Sequence, residues 1–326
     1  MTKKLMGTIM PYSHQWRWLE LDVPASSCQI FGGLLPGSVP RLEYLSINLH
    51  QPFLGSSNPW TAFQDAPKLN DLCIGAAHIQ VDPQEPTFPW SQLTRIDVGD
   101  CSPGDCLQIL AQASTATFCI FDVTRETPLL TKFPTSFVHP QLQTLKIDAL
   151  VDVQSFWTTL TCSVLSTLSL ELRSVAEAGT QDLPRFLARC NGTIQNLTLN
   201  RSGLNEAQFL ACLRDMPRLR QLDMYEDYEP GTFADRVCEA LTLGPVFTTE
   251  RCPRLIPELA TFSLCGGRFC SDNSLTRMLE SRMPRQDDPE QRPLKHLFLY
   301  ICRKMSSATI DRLCSRKTGC SCRHNS

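Results

Sequence analysis

A curved α/β solenoid, with a parallel inner sheet and helices and irregular loops on its outer face, is the fold this sequence predicts. Three observations predict it. An apolar phrase of the form L-x-x-L-x-L returns eleven times along the 326 residues. Eight of the ten intervals between successive phrases measure 23–29 residues, and the other two measure 40 and 35. Proline stands one or two residues ahead of the phrase in six of the eleven units. A strand returning every 20–29 residues or so is the signature of leucine-rich repeats, in which each unit contacts only its neighbours. A single solenoid over residues 1–326 therefore absorbs the whole length as about eleven units, with 1–15 as an N-terminal lead-in and 315–326 as a tail expected to fray.

The phrases begin at Trp16, Leu42, Leu69, Leu93, Phe118, Leu142, Leu165, Ile194, Leu219, Leu259 and Leu294. Their last two apolar residues alternate with polar ones at period two, which is the pattern of a half-buried strand. Stacked in parallel, such strands turn the leucines into a shared core and the intervening residues onto the concave side. The chain returns through helices where the pattern supports them, at 105–113, 204–213, 234–241, 274–281 and 307–313, several with Ser or Thr placed to cap the first turn. Segments 83–89 and 127–134 carry Pro or Gly and predict loops or 3₁₀ turns. Proline ahead of the phrase halts the return segment and resets the chain to extended geometry. The long interval from Leu219 to Leu259 hides a degenerate unit or a projecting loop, and the charged stretch 283–292 predicts an exposed loop.

Composition sets the class of function. With 42% hydrophobic and 20% charged residues the chain is an ordinary folded one, and its net charge of -2 builds in no pull towards nucleic acid or an anionic membrane. Nothing approaches 18 consecutive apolar residues, and the N-terminus has no secretory apolar region, so cytoplasm or nucleus is the expected location. Cys73, Cys119, Cys162, Cys190, Cys212 and Cys252 read as core or near-core free thiols. Cys101 and Cys106, like Cys265 and Cys270, sit five apart where a strand gives way to its return segment, and read as residues of the inner turn. The C-terminal cluster Cys314, Cys320, Cys322 and His324 is spaced poorly for zinc. His14 and His139 read as structural. No phosphate loop, nucleophile elbow or metalloprotease motif is present, so neither catalysis, cofactor nor metal is expected.

What remains is a surface. Among residues flanking the third apolar position of each phrase, Glu20, Asp22, Asp97, Asp122, Asp148, Glu171 and Asp223 are acidic and Lys146 alone is basic. An acidic concave wall favours a protein partner with a basic segment; carboxylates that merely keep the sheet soluble are the alternative. Tyr225, Phe298 and Tyr300 add aromatic anchors towards the C-terminal end; alternatively Phe298 and Tyr300 are covered by the tail acting as cap. The candidate partner-binding set is thus Asp97, Asp122, Asp148, Glu171, Asp223, Tyr225, Phe298 and Tyr300.

The segment Ser13-His14-Gln15-Trp16-Arg17-Trp18-Leu19 carries a family resemblance, joined by Val39-Pro-Arg-Leu-Glu-Tyr-Leu-Ser-Ile and, more weakly, by Cys252-Pro-Arg-Leu-Ile-Pro-Glu-Leu259. It resembles the leucine-rich repeat region of the F-box proteins of mushroom-forming fungi (basidiomycetes). The resemblance implies substrate recognition for a ubiquitin ligase of the cullin–F-box type. The F-box, which docks the ligase adaptor, would precede Pro11, where ten residues stand. This chain is then expected to be the substrate-reading half, with the adaptor a partner only where an F-box precedes it. A free-standing repeat scaffold or inhibitor, unconnected with ubiquitination, is the alternative reading.

Overall fold

The structure, a computed structural model, describes residues 7–49, 59–75, 88–126, 136–173, 180–225, 233–243, 255–266, 271–282, 294–301 and 321–322. Its contacts gather into two units, Met1–Ser163 and Val164–Ser326. The first unit carries β1 (Trp18–Val23), β2 (Tyr44–Leu49), β3 (Asp71–Ile74), β4 (Arg95–Cys101), β5 (Phe118–Val123), β6 (Phe137–His139), β7 (Thr144–Ala149) and β8 (Leu160–Cys162). Strands β1, β2, β3, β4, β5 and β7 pair in that order, all parallel, while β6 and β8 form a small parallel ladder of their own. Its return segments are 3₁₀ turns, such as Ala25–Gly33 and Trp90–Gln92, and the helices α1 (Pro103–Gln112) and α2 (Gln154–Thr159).

The second unit carries β9 (Thr167–Leu172), β10 (Asn196–Asn200), β11 (Gln221–Tyr225), β12 (Thr261–Gly266), β13 (His296–Ile301) and β14 (Ser321–Cys322), again parallel and paired in order. Helices α3 (Leu183–Arg189), α4 (Glu206–Arg214), α5 (Phe233–Leu241) and α6 (Asp272–Ser281) return the chain. Each of the eleven phrases meets one of these parallel strands, and the chain has the α/β leucine-rich repeat fold. The tail contributes β14, two residues long. The segments 83–87, 127–134, 283–292 and 307–313, and the cysteine cluster at 314–324 apart from the backbone of β14, lie outside the described residues.

Burial follows the phrase. Leu42, Leu69, Leu93, Leu142, Leu165, Ile194, Leu219 and Leu259 are wholly buried, as are Leu45, Leu72, Ile96, Leu145, Leu168, Leu197 and Leu222 at the second position. Each such side chain contributes about 1.5–3 kcal/mol through removal from water. One unit is registered differently from expectation. Phe118 lies on the outer side of β5, and the buried phrase there is Ala116-x-x-Cys119-x-Phe121. Small side chains replace leucine at two of its three positions.

The prolines have a specific place. Leu42, Leu69, Leu219 and Leu259 donate their N–H to the carbonyls of Val39, Ala66, Met216 and Ile256, at 3.1–3.3 Å, so Pro40, Pro67, Pro217 and Pro257 each occupy the second position of a turn. Their fixed φ suits that position and no N–H is wanted there. After the turn a single carbonyl of the preceding unit accepts two successive N–H groups: Arg17 from Glu43 and Tyr44, Glu43 from Asn70 and Asp71, Asn70 from Thr94 and Arg95. The second unit repeats this at Ser166, Gln195, Arg220 and Ala260. Ahead of Leu142 a side chain stands in. Buried His139 accepts the Leu142 N–H at Nδ1 (3.1 Å) and donates from Nε2 to the Ala113 carbonyl (2.9 Å), which fixes the neutral tautomer.

Helix starts are capped from the sequence. Ser102 and Asp105 form a reciprocal capping box on α1, Asn205 and Gln208 one on α4, and Ser271 caps α6. The helices α2 and α3 were not anticipated; α3 has Pro184 in its first turn, where a missing N–H costs nothing. The interval from Leu219 to Leu259 contains α5, and its far end is tied by Arg282. That guanidinium is 1% exposed and donates to the carbonyls of Leu241 (2.8 Å), Ile256 (3.1 Å) and Leu255 (3.0 Å). Burial lowers its pKa to about 10, which leaves it charged at neutral pH. Part of its counter-charge is the negative end of α5, where Leu241 is the last residue.

Two outcomes follow from these ties. Arg282→Met is expected to cost about 3 kcal/mol in urea unfolding, because two buried carbonyls and a part-buried one lose their donor; Arg282→Lys recovers only part, since an ammonium lacks the planar fork. His139 is held below its ordinary pKa by burial, against a smaller opposing pull from the Ala113 carbonyl. The folded protein therefore binds fewer protons than the unfolded one below about pH 6.5. Stability is expected to fall as pH drops from there towards the folded value, and His139→Gln to flatten that slope in urea midpoints measured against pH.

Candidate functional site

Parallel pairing lines the outward residues of the first unit into rows. One row runs Trp18, Tyr44, Asp71, Arg95, Phe118, Thr144, and the next Glu20, Ser46, Cys73, Asp97, Ile120, Lys146. In a third, Asp22 pairs with Asn48 and Asp122 with Asp148, with Gly75 and Gly99 between them. The face therefore carries six carboxylates (Glu20, Asp22, Asp71, Asp97, Asp122, Asp148) against Arg95 and Lys146.

The two cations are partly engaged. Arg95 Nε bonds Asp71 Oδ2 at 3.1 Å while its guanidinium carbon lies 4.3 Å above the Phe118 ring, and Lys146 Nζ lies 5.7 Å from the same ring. Asp97 stands between them. Burial is the main cause holding its carboxyl above the usual carboxylate range, followed by the charges of Asp122 and Asp71, while Lys146 and Arg95 pull the other way. Asp71 is also raised, by burial, with Arg95 opposing. Cys73, expected in or near the core, is half-buried on this face; burial first and then Asp97 push its thiol up, with a hydrogen bond to Ser46 opposing.

The paired glycines leave bare backbone in the third row. A Cβ at Gly75 would come within 2.5 Å of Asn48 Oδ1, and one at Gly99 within 3.5 Å of Asp122 Oδ2. Asn48 in turn donates to Asp22 Oδ1 at 3.3 Å. The Asn48 amide thus fills the space over Gly75, and the Asp122 carboxylate lies over Gly99 at van der Waals distance.

The remaining candidates sit in the second unit, on a face of different chemistry. Its outward residues include Thr167, Ser169, Asn196, Thr198, Asn200 and Ser263. Glu171 is bonded by Arg173 (3.1 Å), and Asp223, 8% exposed, accepts from Gln221 Nε2 at 2.6 Å. Tyr225 is exposed at the end of β11; Phe298 is half-buried on β13 and stacks on His296 with centroids 6.5 Å apart. Tyr300 lies on β13, two residues beyond Phe298. Asp97, Asp122 and Asp148 are therefore brought together on three strands of one unit, and Glu171, Asp223, Tyr225, Phe298 and Tyr300 belong to the other.

Counting residues beside the third apolar position missed the row that holds Trp18, Tyr44, Asp71, Arg95 and Phe118. Those residues directly precede the second apolar position, and that was the available signal. The exposed indole of Trp18 stacks on Tyr44 at 3.9 Å. Cys101 and Cys106 are buried free thiols with Sγ atoms 3.3 Å apart, at the turn into α1, as their spacing suggested. Among the described residues no group of three or more His, Cys, Asp or Glu could hold a metal, and no helix is long and apolar enough to cross a membrane.

The position of Asp97 has a measurable consequence. A carboxyl that holds its proton more tightly when folded loses stability as pH rises from about 3.9, its unfolded value, through the folded one. The full penalty is present at pH 7. Asp97→Asn is expected to raise the urea midpoint at pH 7, with the gain vanishing near pH 3.

No model of a protein family matches the chain. No curated protein matches it. Among solved structures, a leucine-rich repeat-containing protein of Legionella pneumophila is 12% identical with a TM-score of 0.45, over 92% of this chain and 90% of that one. An internalin of Listeria monocytogenes is 11% identical with a TM-score of 0.41, over 97% and 89%.

Proposed function

We propose that this chain is a non-catalytic protein-recognition module, and that the open face of its first unit grips a basic segment of another protein. One observation carries the reading: six carboxylates against two cations on one face of a chain whose net charge is only -2. Desolvation of Asp97 and Asp71 supports it further, since a carboxylate held above its usual range gains more from an arriving cation than one bathed in water.

The finer setting comes from the resemblance of Ser13–Leu19 to the F-box family. On that reading the module selects substrates for a cullin–F-box ubiquitin ligase, and the adaptor is reached through an F-box on the same polypeptide. The other setting is a free-standing scaffold or inhibitor. Turnover of the captured protein separates the two, because only the ligase setting makes it depend on the repeat protein.

The grip itself is tested with a fluorescein-labelled hexalysine peptide by anisotropy. Binding that weakens steeply with salt is expected in the wild type. Replacing Asp97, Asp122 and Asp148 together by lysine is expected to lower affinity about tenfold, roughly 1.4 kcal/mol, and to flatten the salt dependence. Equal affinity in the triple variant would assign these carboxylates to solubility.

A further inference from the structure

The row Trp18–Tyr44–Asp71–Arg95–Phe118 contains the same chemistry twice, once completed and once not. At β3–β5 a guanidinium lies on a ring and bonds a carboxylate: Arg95 sits 4.3 Å over Phe118 and 3.1 Å from Asp71. At β1–β2 the aromatic face and a carboxylate recur. Trp18 is 67% exposed and stacks on Tyr44 with centroids 3.9 Å apart and planes inclined by 27°. Glu20 is exposed on the same strand and the same side, two residues on. Among the described residues no cation lies over Trp18 and none pairs with Glu20.

From this we infer that the Trp18–Tyr44 stack is the seat of an arginine side chain of the bound protein. It anchors one end of the basic segment at β1 while the rest runs towards Asp97 and Asp122. The inference rests on the basic-segment reading and deepens it by naming the anchoring side chain. An indole standing largely in water contributes little to the fold, yet it offers the strongest of the aromatic faces to a cation. Stacking on Tyr44 holds the indole in place, so little side-chain freedom is lost when a guanidinium lies on it. Arginine fits better than lysine because its flat cation can cover a ring and still turn its edge N–H groups to Glu20. The distance suits one peptide: the four strand spacings from β1 to β5 span about 19 Å, at roughly 4.8 Å each, and six extended residues reach about 20 Å.

Fluorescein-labelled hexaarginine and hexacitrulline test it, the second keeping the planar group without its charge. Anisotropy titrations compare the wild type, Trp18→Ala, Trp18→Phe and the double variant Asp97→Asn/Asp122→Asn. Expected is a loss of about fivefold for hexaarginine in Trp18→Ala, a smaller loss in Trp18→Phe, and markedly weaker binding of hexacitrulline to the wild type. Hexaarginine binding unchanged in Trp18→Ala, with the double variant weakened, would overturn the seat and leave the acidic-face reading standing. Citrulline binding as well as arginine would overturn the requirement for a cation. Failure of the wild type to bind hexaarginine at all would overturn both.

Discussion

Parallel strands held in one register impose a single rule on every unit: the same position in each phrase must lie beside its counterpart. A slip of one residue would turn Leu45 and Leu72 to the outside and drive Ser46 and Cys73 into the core, at the cost of the whole buried column. Two devices enforce the register before the strand begins. The proline turn delivers the first leucine to the core, and a carbonyl of the preceding unit then takes two N–H groups at once. The rows on the open face are the other side of this constraint. Tyr44 meets Trp18, and Asp97 meets Cys73, because the leucines behind them cannot move.

The same rule explains the electrostatics. Charges spread thinly along the sequence become neighbours when every unit contributes one residue to a row. Asp71, Asp97 and Asp122 are 25 or 26 residues apart in sequence, yet the outer two are close enough to raise the carboxyl of Asp97. Arg95 and Lys146 limit the repulsion, and both do so against the Phe118 ring. A face of this kind is compatible with a near-neutral chain, since the balancing basic residues lie elsewhere.

The period of the leucines made the fold legible, because a parallel ladder cannot be built from this spacing without a shared core. Legibility failed where the leucines did. At Ala116-x-x-Cys119-x-Phe121 the core accepts small side chains, and the larger Phe118 beside them looked like the start of the phrase although it faces outward. Short return helices such as α2 and α3 carry too few turns for a periodic pattern. Contacts that join distant segments left no local trace: nothing near Arg282 announces that it will bind carbonyls 26 and 41 residues away. The acidic residues were readable by position, but not their states. Asp223 and Asp97 occupy equivalent places in their phrases, and a neighbouring glutamine makes the first a buried acceptor. Trp18 and its row escaped because outward residues occur on both sides of the second leucine.

The spacing of the rows has a consequence for discrimination. Adjacent strands stand about 4.8 Å apart, whereas alternate residues of an extended polypeptide stand about 6.8 Å apart. A chain crossing the strands of the first unit cannot match every column with every second side chain. Like the two scales of a vernier, they coincide only at intervals, roughly every seven strands against five residue pairs. Such a surface would read the density of positive charge along its guest rather than a fixed sequence. Any sharper selectivity would have to come from a place where only one shape of side chain can settle.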